Sequence, residues 1–396
     1  MTGQPCVLCG GLAQEIRPGQ NLAEALPGVT SDIKPWPRLG SILCCQDCGH
    51  VQKRLDQAWR AAAEAIYADY VMYHLSDGSE QVVFDASGAS PRTARLIQGM
   101  ARAWDLPAAG SLLDVGCGGG AFLAAFHQAR PGWRLFGQDH CAQRRAEVLG
   151  VPGACGFFCG GLDEIAGPFD AVSLIYVLEH MPEPVAELTR LRRLLKPGGT
   201  LLVMVPDLAQ SPFDLTVVDH CGHFFAASLA RAATLAGFAV AAPGLDWMAK
   251  EVGLIATAPA SAPTTAPAPA PSAGHAAQGL SLAEDALDWL VRTLAAARTE
   301  ADRLHAGGHA FGLFGTAIAG SWLAQGLAGQ VDFFVDEDAL RWGKTHLGLP
   351  IIGPQDAPDG AAVFLGFPPV LARSISERLR ASAGWNPGLR LVLPPE

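Results

Sequence analysis

Three observations predict an α/β protein built from two sheet-and-helix units. Short apolar strands alternate with amphipathic helices through the middle of the chain, and a glycine-rich turn joins the first of those strands to the helix after it. A second strand, glycine-turn, helix, strand series follows near the C-terminus. At 396 residues the chain exceeds one ordinary core, so two or three domains are expected.

Residues 1–55 carry half of the ten cysteines among turn-rich sequence and read as a small separate module. From 56 to 105 the pattern is helical, in AWRAAAEAIYADY and then TARLIQGMARAW, and reads as a separate helical segment. Residues 106–256 hold the main unit, with strands SLLDVG, RLFGQD, FDAVSLIYV and GTLLVMVP and helices such as PVAELTRLRRLL. Alternation of this kind predicts a parallel sheet covered on both faces. The 257–280 stretch is a Pro/Ala-rich linker, too rich in proline for a helix and too poor in large apolar groups to pack, hence an exposed tether. In the last unit, 281–396, Ser281 and Glu284 form a capping box before a helix running to about Leu304. AFGLFG, AIAGSWLAQGLA, VDFFVD and AAVFLGF then supply its strands and helix.

The composition is globular, 49% hydrophobic and 17% charged. A net charge of −10 argues against general nucleic-acid binding, which depends on phosphate neutralisation, though not against a small anionic substrate. The start, MTGQPCVLCG, lacks a secretory pattern, so a cytoplasmic protein with reduced thiols is expected. The uncharged run Ala310–Val331 is interrupted by five glycines and reads as a buried strand, turn and helix rather than a membrane span.

LLDVGCGGGAFL reads as strand, glycine turn and helix start, where backbone approaches a ligand without Cβ interference. Asp114 closes the first strand, and Asp139 closes the second, placed to accept hydrogen bonds from ribose hydroxyls. Together with FDAVSLIYVLEHMPEP and LLKPGGTLLVMVP, in that order and spacing, the loop resembles the class I S-adenosylmethionine methyltransferase pattern over about 108–240. The resemblance implies a Rossmann-like sheet that binds S-adenosylmethionine. It places Gly116 and Gly118 against the methionine end, Asp139 on the ribose and Tyr176 near the cofactor, with Asp114 and Cys117 in the same loop.

Cys6-x-x-Cys9 and Cys45-x-x-Cys48, each followed by glycine, have the spacing of zinc knuckles, which makes a closed, structural zinc site the expectation. Cys44 stands as an alternative to Cys45. The other cysteines, Cys117, Cys141, Cys155, Cys159 and Cys221, lack pairing and read as small core residues.

Two stretches are candidates for the acceptor site. One holds Tyr67, Tyr70 and Tyr73, followed by His74 and Ser76; the other is FDLTVVDHCGHFF, with Asp219, His220 and His223 beside Phe224 and Phe225, which exclude water. Taken with the cysteine module and the C-terminal unit, this order resembles the sugar C-methyltransferase family, which acts on nucleotide-linked keto-deoxysugars. The resemblance implies His220 as catalytic base, with Asp219 in the position of the family's glutamate. It makes His180 a second active-site histidine, Tyr73 a substrate-contacting residue, and Tyr70 and His223 further substrate contacts. Val217 stands where the family has a tyrosine. By the same resemblance the C-terminal unit closes over the substrate. There Asp336 and Glu337 end a strand, and Lys344 and His346 are candidate phosphate contacts, with a solvated loop as the alternative.

The residue types suit the chemistry. A proton next to a ketone is removable by a histidine poised near neutral pH, and a histidine or tyrosine hydrogen bond stabilises the enolate. O- or N-methylation of a sugar or natural-product scaffold needs a base but no enolate, and a non-catalytic binding protein would need neither. The sequence leaves the oligomeric state open.

Overall fold

The computed structural model describes residues 3–16, 26–72, 74–76, 78–85, 88–245, 247–260, 273–382 and 386–396. Its centre is a seven-stranded sheet of β1 (Gly110–Val115), β2 (Trp133–Asp139), β3 (Ala154–Cys159), β4 (Phe169–Ile175), β5 (Leu195–Pro206), β6 (Ala239–Leu245) and β7 (Glu251–Thr257). The order is β3-β2-β1-β4-β5-β7-β6, parallel except for β7, which runs antiparallel to both neighbours. That order and the single reversed strand are the class I methyltransferase fold. The middle strands are buried on both faces, which explains why LLDV and LLVMV read as continuous apolar runs instead of alternating.

Helix Gln57–Ala68 starts at Asp56, whose carboxylate accepts the Trp59 N–H at 3.0 Å, and Arg92–Ala103 is the second helix on this side. The C-terminal unit is a six-stranded sheet in the order Thr345–His346, Leu349–Ile352, Phe333–Val335, Phe311–Phe314, Ala362–Phe364, Arg390–Val392. It is parallel apart from the Thr345–Ile352 hairpin. The uncharged run is strand Phe311–Phe314 followed by helix Ile318–Gly326, and no helix among the described residues is long and apolar enough to cross a membrane.

The cysteine module is less separate than its sequence implies. Its five-stranded sheet (Gln4–Pro5, Leu12–Glu15, Ile42–Cys45, Val51–Lys53) takes its edge strand, Gly222–His223, from the acceptor stretch far along the chain. Leu26, Val29 and Leu39 share one core with Phe213, Leu290, Phe311 and Trp322. Trp322 Nε1 donates to the Pro27 carbonyl at 2.8 Å, and the Gln325 amide pairs with both backbone groups of Trp36.

The linker expectation needs correction. Residues 261–272 lie outside the described set, but helix Ala273–Ala306 already covers the end of the stretch. Ser281 and Glu284 therefore sit inside a helix, and Ser281 Oγ donates to Asp285 Oδ2 at 3.2 Å instead of capping. The last proline is Pro271, and the AGHAAQ that follows contains good helix formers. Tertiary packing extends the helix: its turn at Gly279 lies directly on the Gly49 carbonyl of the cysteine module, leaving no room for a Cβ.

Candidate active site

A cavity of about 480 Å³ opens beyond the carboxyl ends of β1 and β4, where the strand order reverses and α/β folds bind ligands. All three parts of the chain line it, with Asp32 from the N-terminal region, the glycine loop and His220 from the centre, and Thr316 and Arg341 from the C-terminal unit.

The loop after β1 needs its glycines. Gly116, Gly118 and Gly120 have φ of +66°, +51° and +81°, and a Cβ on Gly116 would meet Val177 Cγ2 at 2.5 Å. Asp139 folds back onto this loop, its carboxylate accepting the N–H groups of Gly118 at 3.0 Å and Cys141 at 3.3 Å. Asp114 is buried and accepts from Ser173 Oγ at 2.7 Å; burial pushes its carboxyl up to about 7, against that hydrogen bond. Cys117 is buried in the loop and lines the cavity.

Sequence reasoning missed Gln138, which joins the loop to β3 by accepting the Gly116 N–H at 3.2 Å and donating to the Gly160 carbonyl at 2.5 Å. A polar residue just before the strand-ending acid was the available signal. Tyr176 lines the cavity at φ +59°, its hydroxyl donating to Glu251 and its ring lying 3.6 Å beneath the Arg92 guanidinium, which is itself paired with Glu251. Arg92 and Glu251 are distant in sequence, and nothing local marks them.

The acceptor side centres on an unforeseen residue. Asp214, buried in the turn Pro212–Thr216, takes Nδ1 of His220 at 2.6 Å on one oxygen and Nδ1 of His223 at 2.7 Å on the other. Burial opposes ionisation of Asp214, but the two histidines hold it well below the usual carboxylate range. Burial also works against a charged His220, yet Asp214 outweighs it and raises the imidazole above its ordinary value.

Asp219 therefore does not pair with His220. Its carboxylate accepts the Ser31 N–H at 2.9 Å and the Ser31 hydroxyl at 2.5 Å, and it flanks His180 Nδ1 at 3.5 Å. His220 lies six positions after Asp214, whereas the adjacent Asp219 commits its carboxylate to Ser31. His223 is fully buried on Asp214, outside the cavity lining, so it is not placed to touch a substrate.

His180 and His220 meet edge to face with ring centroids 4.6 Å apart. Burial, reinforced by His220, pulls His180 down to about 4. Tyr67, not Tyr70, reaches His180, with its hydroxyl 2.9 Å from Nδ1; Tyr70 lines the cavity, and Tyr73 lies outside the described residues. Glu179 is buried in the cavity wall, its carboxyl pushed by burial up to about 8 against the pull of His220. Lys53, buried, donates to the carbonyls of Leu39 at 3.1 Å and Leu215 at 2.6 Å and so pins the segment that carries Asp214.

The four cysteines Cys6, Cys9, Cys45 and Cys48 bring their sulfurs within 4.8 Å of one another, with contacts of 3.4–3.7 Å. A tetrahedral ion with bonds of about 2.3 Å separates its sulfurs by about 3.8 Å, so this donor set fits a metal with little adjustment. Cys44, on the opposite face of its strand, lies against the carbonyls of Cys45 and Gly49 and packs with Leu287 and Leu290 in the core shared with the C-terminal unit, which removes it as a ligand. Cys117 and Cys221 are buried as expected, but Cys155 and Cys159 are exposed on β3, the sheet edge, and Cys141 is exposed just after β2.

The C-terminal candidates are occupied. Asp336 and Asp338 both engage Arg341, and Glu337 pairs with Arg378. His346 is buried against Ser321 Oγ at 2.7 Å, and Lys344 Nζ donates to the Leu75 carbonyl at 3.0 Å, so neither is presented as a phosphate contact.

Residues 89–242 match the family model described as a methyltransferase domain. The ubiquinone biosynthesis O-methyltransferase of Xanthomonas campestris pv. campestris (strain B100) is 35% identical over 115 residues, 27% of this chain and 47% of that protein. The corresponding protein of Xylella fastidiosa (strain 9a5c) is 34% identical over 119 residues, 27% and 46%. The chain thus spans about half the length of the curated relatives it matches. Among solved structures, mitomycin 7-O-methyltransferase MmcR matches with TM-score 0.37 and 21% identity over 42% of this chain and 54% of its own. Human N-acetylserotonin methyltransferase, solved with S-adenosylmethionine, matches with TM-score 0.36 and 18% identity over 41% and 51%. Residues 89–242 of the chain are thus similar to a methyltransferase domain.

Proposed function

We propose that the chain transfers the methyl group of S-adenosylmethionine to the carbon next to a ketone in a nucleotide-linked keto-deoxysugar, with His220 as the base. The observation that carries this reading is the buried Asp214–His220 pair beside the glycine loop, in one cavity of about 480 Å³. Gly116 and Gly118, which line the cavity, are the residues that would hold the cofactor, with Tyr176 at its edge and Asp139 bracing the loop through the Gly118 N–H. When bound, S-adenosylmethionine supplies an electrophilic methyl group.

The protein's part is proton management. Asp214 is an ionised acceptor, so Nδ1 of His220 carries the hydrogen and Nε2 keeps its lone pair for the substrate proton. Neutral His180, whose ring packs edge to face against His220, is available to hydrogen-bond the enolate oxygen. The fully buried Phe224 and Phe225 keep water from the far side of the acceptor segment. Cys6, Cys9, Cys45 and Cys48 would hold a structural zinc ion, which would brace the module whose sheet includes Gly222–His223.

O-methylation of a hydroxyl is the second reading, favoured by the O-methyltransferase names of the curated relatives. The two differ in whether a C–H bond breaks without the methyl donor. In D2O, with S-adenosylmethionine omitted, C-methylation predicts deuterium uptake next to the ketone of a thymidine-diphosphate keto-deoxysugar. No uptake, with methyl later found on oxygen, would establish the second reading.

A further inference from the structure

Asp214 has two buried histidines on its two oxygens, and only one of them, His220, reaches the cavity. His223 needs a different explanation. Its Nδ1 is 2.7 Å from Asp214 Oδ2, its Nε2 has no hydrogen-bond partner, and its strand is zipped to the cysteine module through the pairs His223↔Val51 and Gly222↔Gln52. From the same module strand, Lys53 grips the Leu215 carbonyl next to Asp214. The Asp214 segment is thus tied to the module twice, directly by Lys53 at the Leu215 carbonyl and indirectly through the paired strand that carries His223.

Building on the reading of His220 as base, we propose that His223 is a positioning residue that, by hydrogen-bonding Asp214 from the side opposite His220, fixes the tautomer and moderates the basicity of His220. The physical argument is competition for one carboxylate. A hydrogen bond from His223 draws charge density from Asp214 and weakens its hold on a protonated His220. Without it, Asp214 would be half unpaired in a buried site and would stabilise His220 imidazolium more strongly, leaving a base too readily protonated near neutral pH. Burial pulls His223 below the ordinary histidine value despite Asp214, so it acts as a neutral donor. The other charged or titratable groups facing His220 are Asp219 on its own segment and Glu179 and His180 from the Leu178–His180 turn; Lys53 of the module strand faces Asp214.

The test is nitrogen-15 NMR of histidine-labelled, zinc-loaded full-length protein, with resonances assigned through His220→Gln and His223→Asn. The wild type should show His220 with hydrogen on Nδ1 and a bare Nε2. His223→Leu should raise the His220 titration midpoint by at least about half a pH unit, and His223→Asn, which keeps an N–H donor, should restore most of the difference. Folding of each variant is read by S-adenosylhomocysteine calorimetry. Should His223→Leu fail to bind it, Asp214→Asn gives the answer instead, because both downfield Nδ1–H resonances must move together. An unchanged midpoint in His223→Leu, hydrogen on Nε2 in the wild type, or movement of only one resonance in Asp214→Asn would overturn the proposal. Full turnover by His220→Ala would instead remove the base assignment while leaving this NMR pattern intact, so the two failures are distinguishable.

Discussion

Asp214 Oδ1 lies 2.6 Å from Nδ1 of His220, a pairing across six residues that aligns one imidazole with the cavity. Asp214→Asn keeps the shape but replaces an obligatory acceptor with a group that also donates, and so permits the wrong tautomer. Turnover should fall by about 10²–10⁴-fold, in kcat more than KM. Steady-state kinetics with S-adenosylhomocysteine affinity as the control checks this; an equal rise in KM with kcat unchanged would contradict it.

Gly116→Ala places a methyl group against Val177 at a backbone φ of +66°. The loop must shift, while the sheet beneath it need not. The expected result is loss of S-adenosylmethionine binding by at least about tenfold in calorimetry, for a cost of about 1–2 kcal/mol at the left-handed position. Unaltered affinity would mean that the loop does not touch the cofactor.

Metal removal should affect more than the cysteines. The module's sheet holds His223 as an edge strand, and helix Ala273–Ala306 packs on Gly49 beside Cys48. Chelation, or Cys45→Ser, should release about one zinc ion per chain and lower the thermal midpoint, whereas Cys44→Ser should leave zinc content unchanged. Equal zinc in all three proteins would remove the site.

Asp114 gives a pH dependence with a definite sign. Its carboxyl is pushed by burial up to about 7 from an ordinary 3.8, so the folded chain holds a proton that the unfolded chain releases. That contribution to stability is complete below about pH 4 and is lost as pH rises to about 7. Asp114→Asn removes the dependence, and its stability relative to wild type should improve by about 3 kcal/mol between pH 5 and pH 8. Urea denaturation at the two pH values, without cofactor, measures it; a difference independent of pH would contradict the burial argument.

Much of the central sheet was legible because its strands are apolar runs closed by glycine turns, and a periodicity argument needs only neighbours in sequence. The clustering of Cys6, Cys9, Cys45 and Cys48 was legible for the same reason, since Cys-x-x-Cys is local. The choice between Cys44 and Cys45 was not, because it depends on which face of the Ile42–Cys45 strand meets the other pair. Asp214 was hidden because its partners lie six and nine residues on, beyond a tight turn, while the adjacent Asp219 looked like the natural acid. The start of the long helix was misjudged because tertiary contact at Gly49, not capping at Ser281, sets it. Arg92 and Glu251 meet over Tyr176 only through the fold.

The central claim is that His220 removes the acceptor's proton for transfer of a methyl group from S-adenosylmethionine. The most direct measurement compares wild type with His220→Ala, using methyl-carbon-13 S-adenosylmethionine and thymidine-diphosphate keto-deoxysugars, with S-adenosylhomocysteine affinity monitored in parallel. The account predicts labelled methyl on carbon for the wild type, and for His220→Ala a loss of about 10²–10⁴-fold in kcat at unchanged cofactor affinity. Full turnover by His220→Ala, or label found on oxygen, would contradict it.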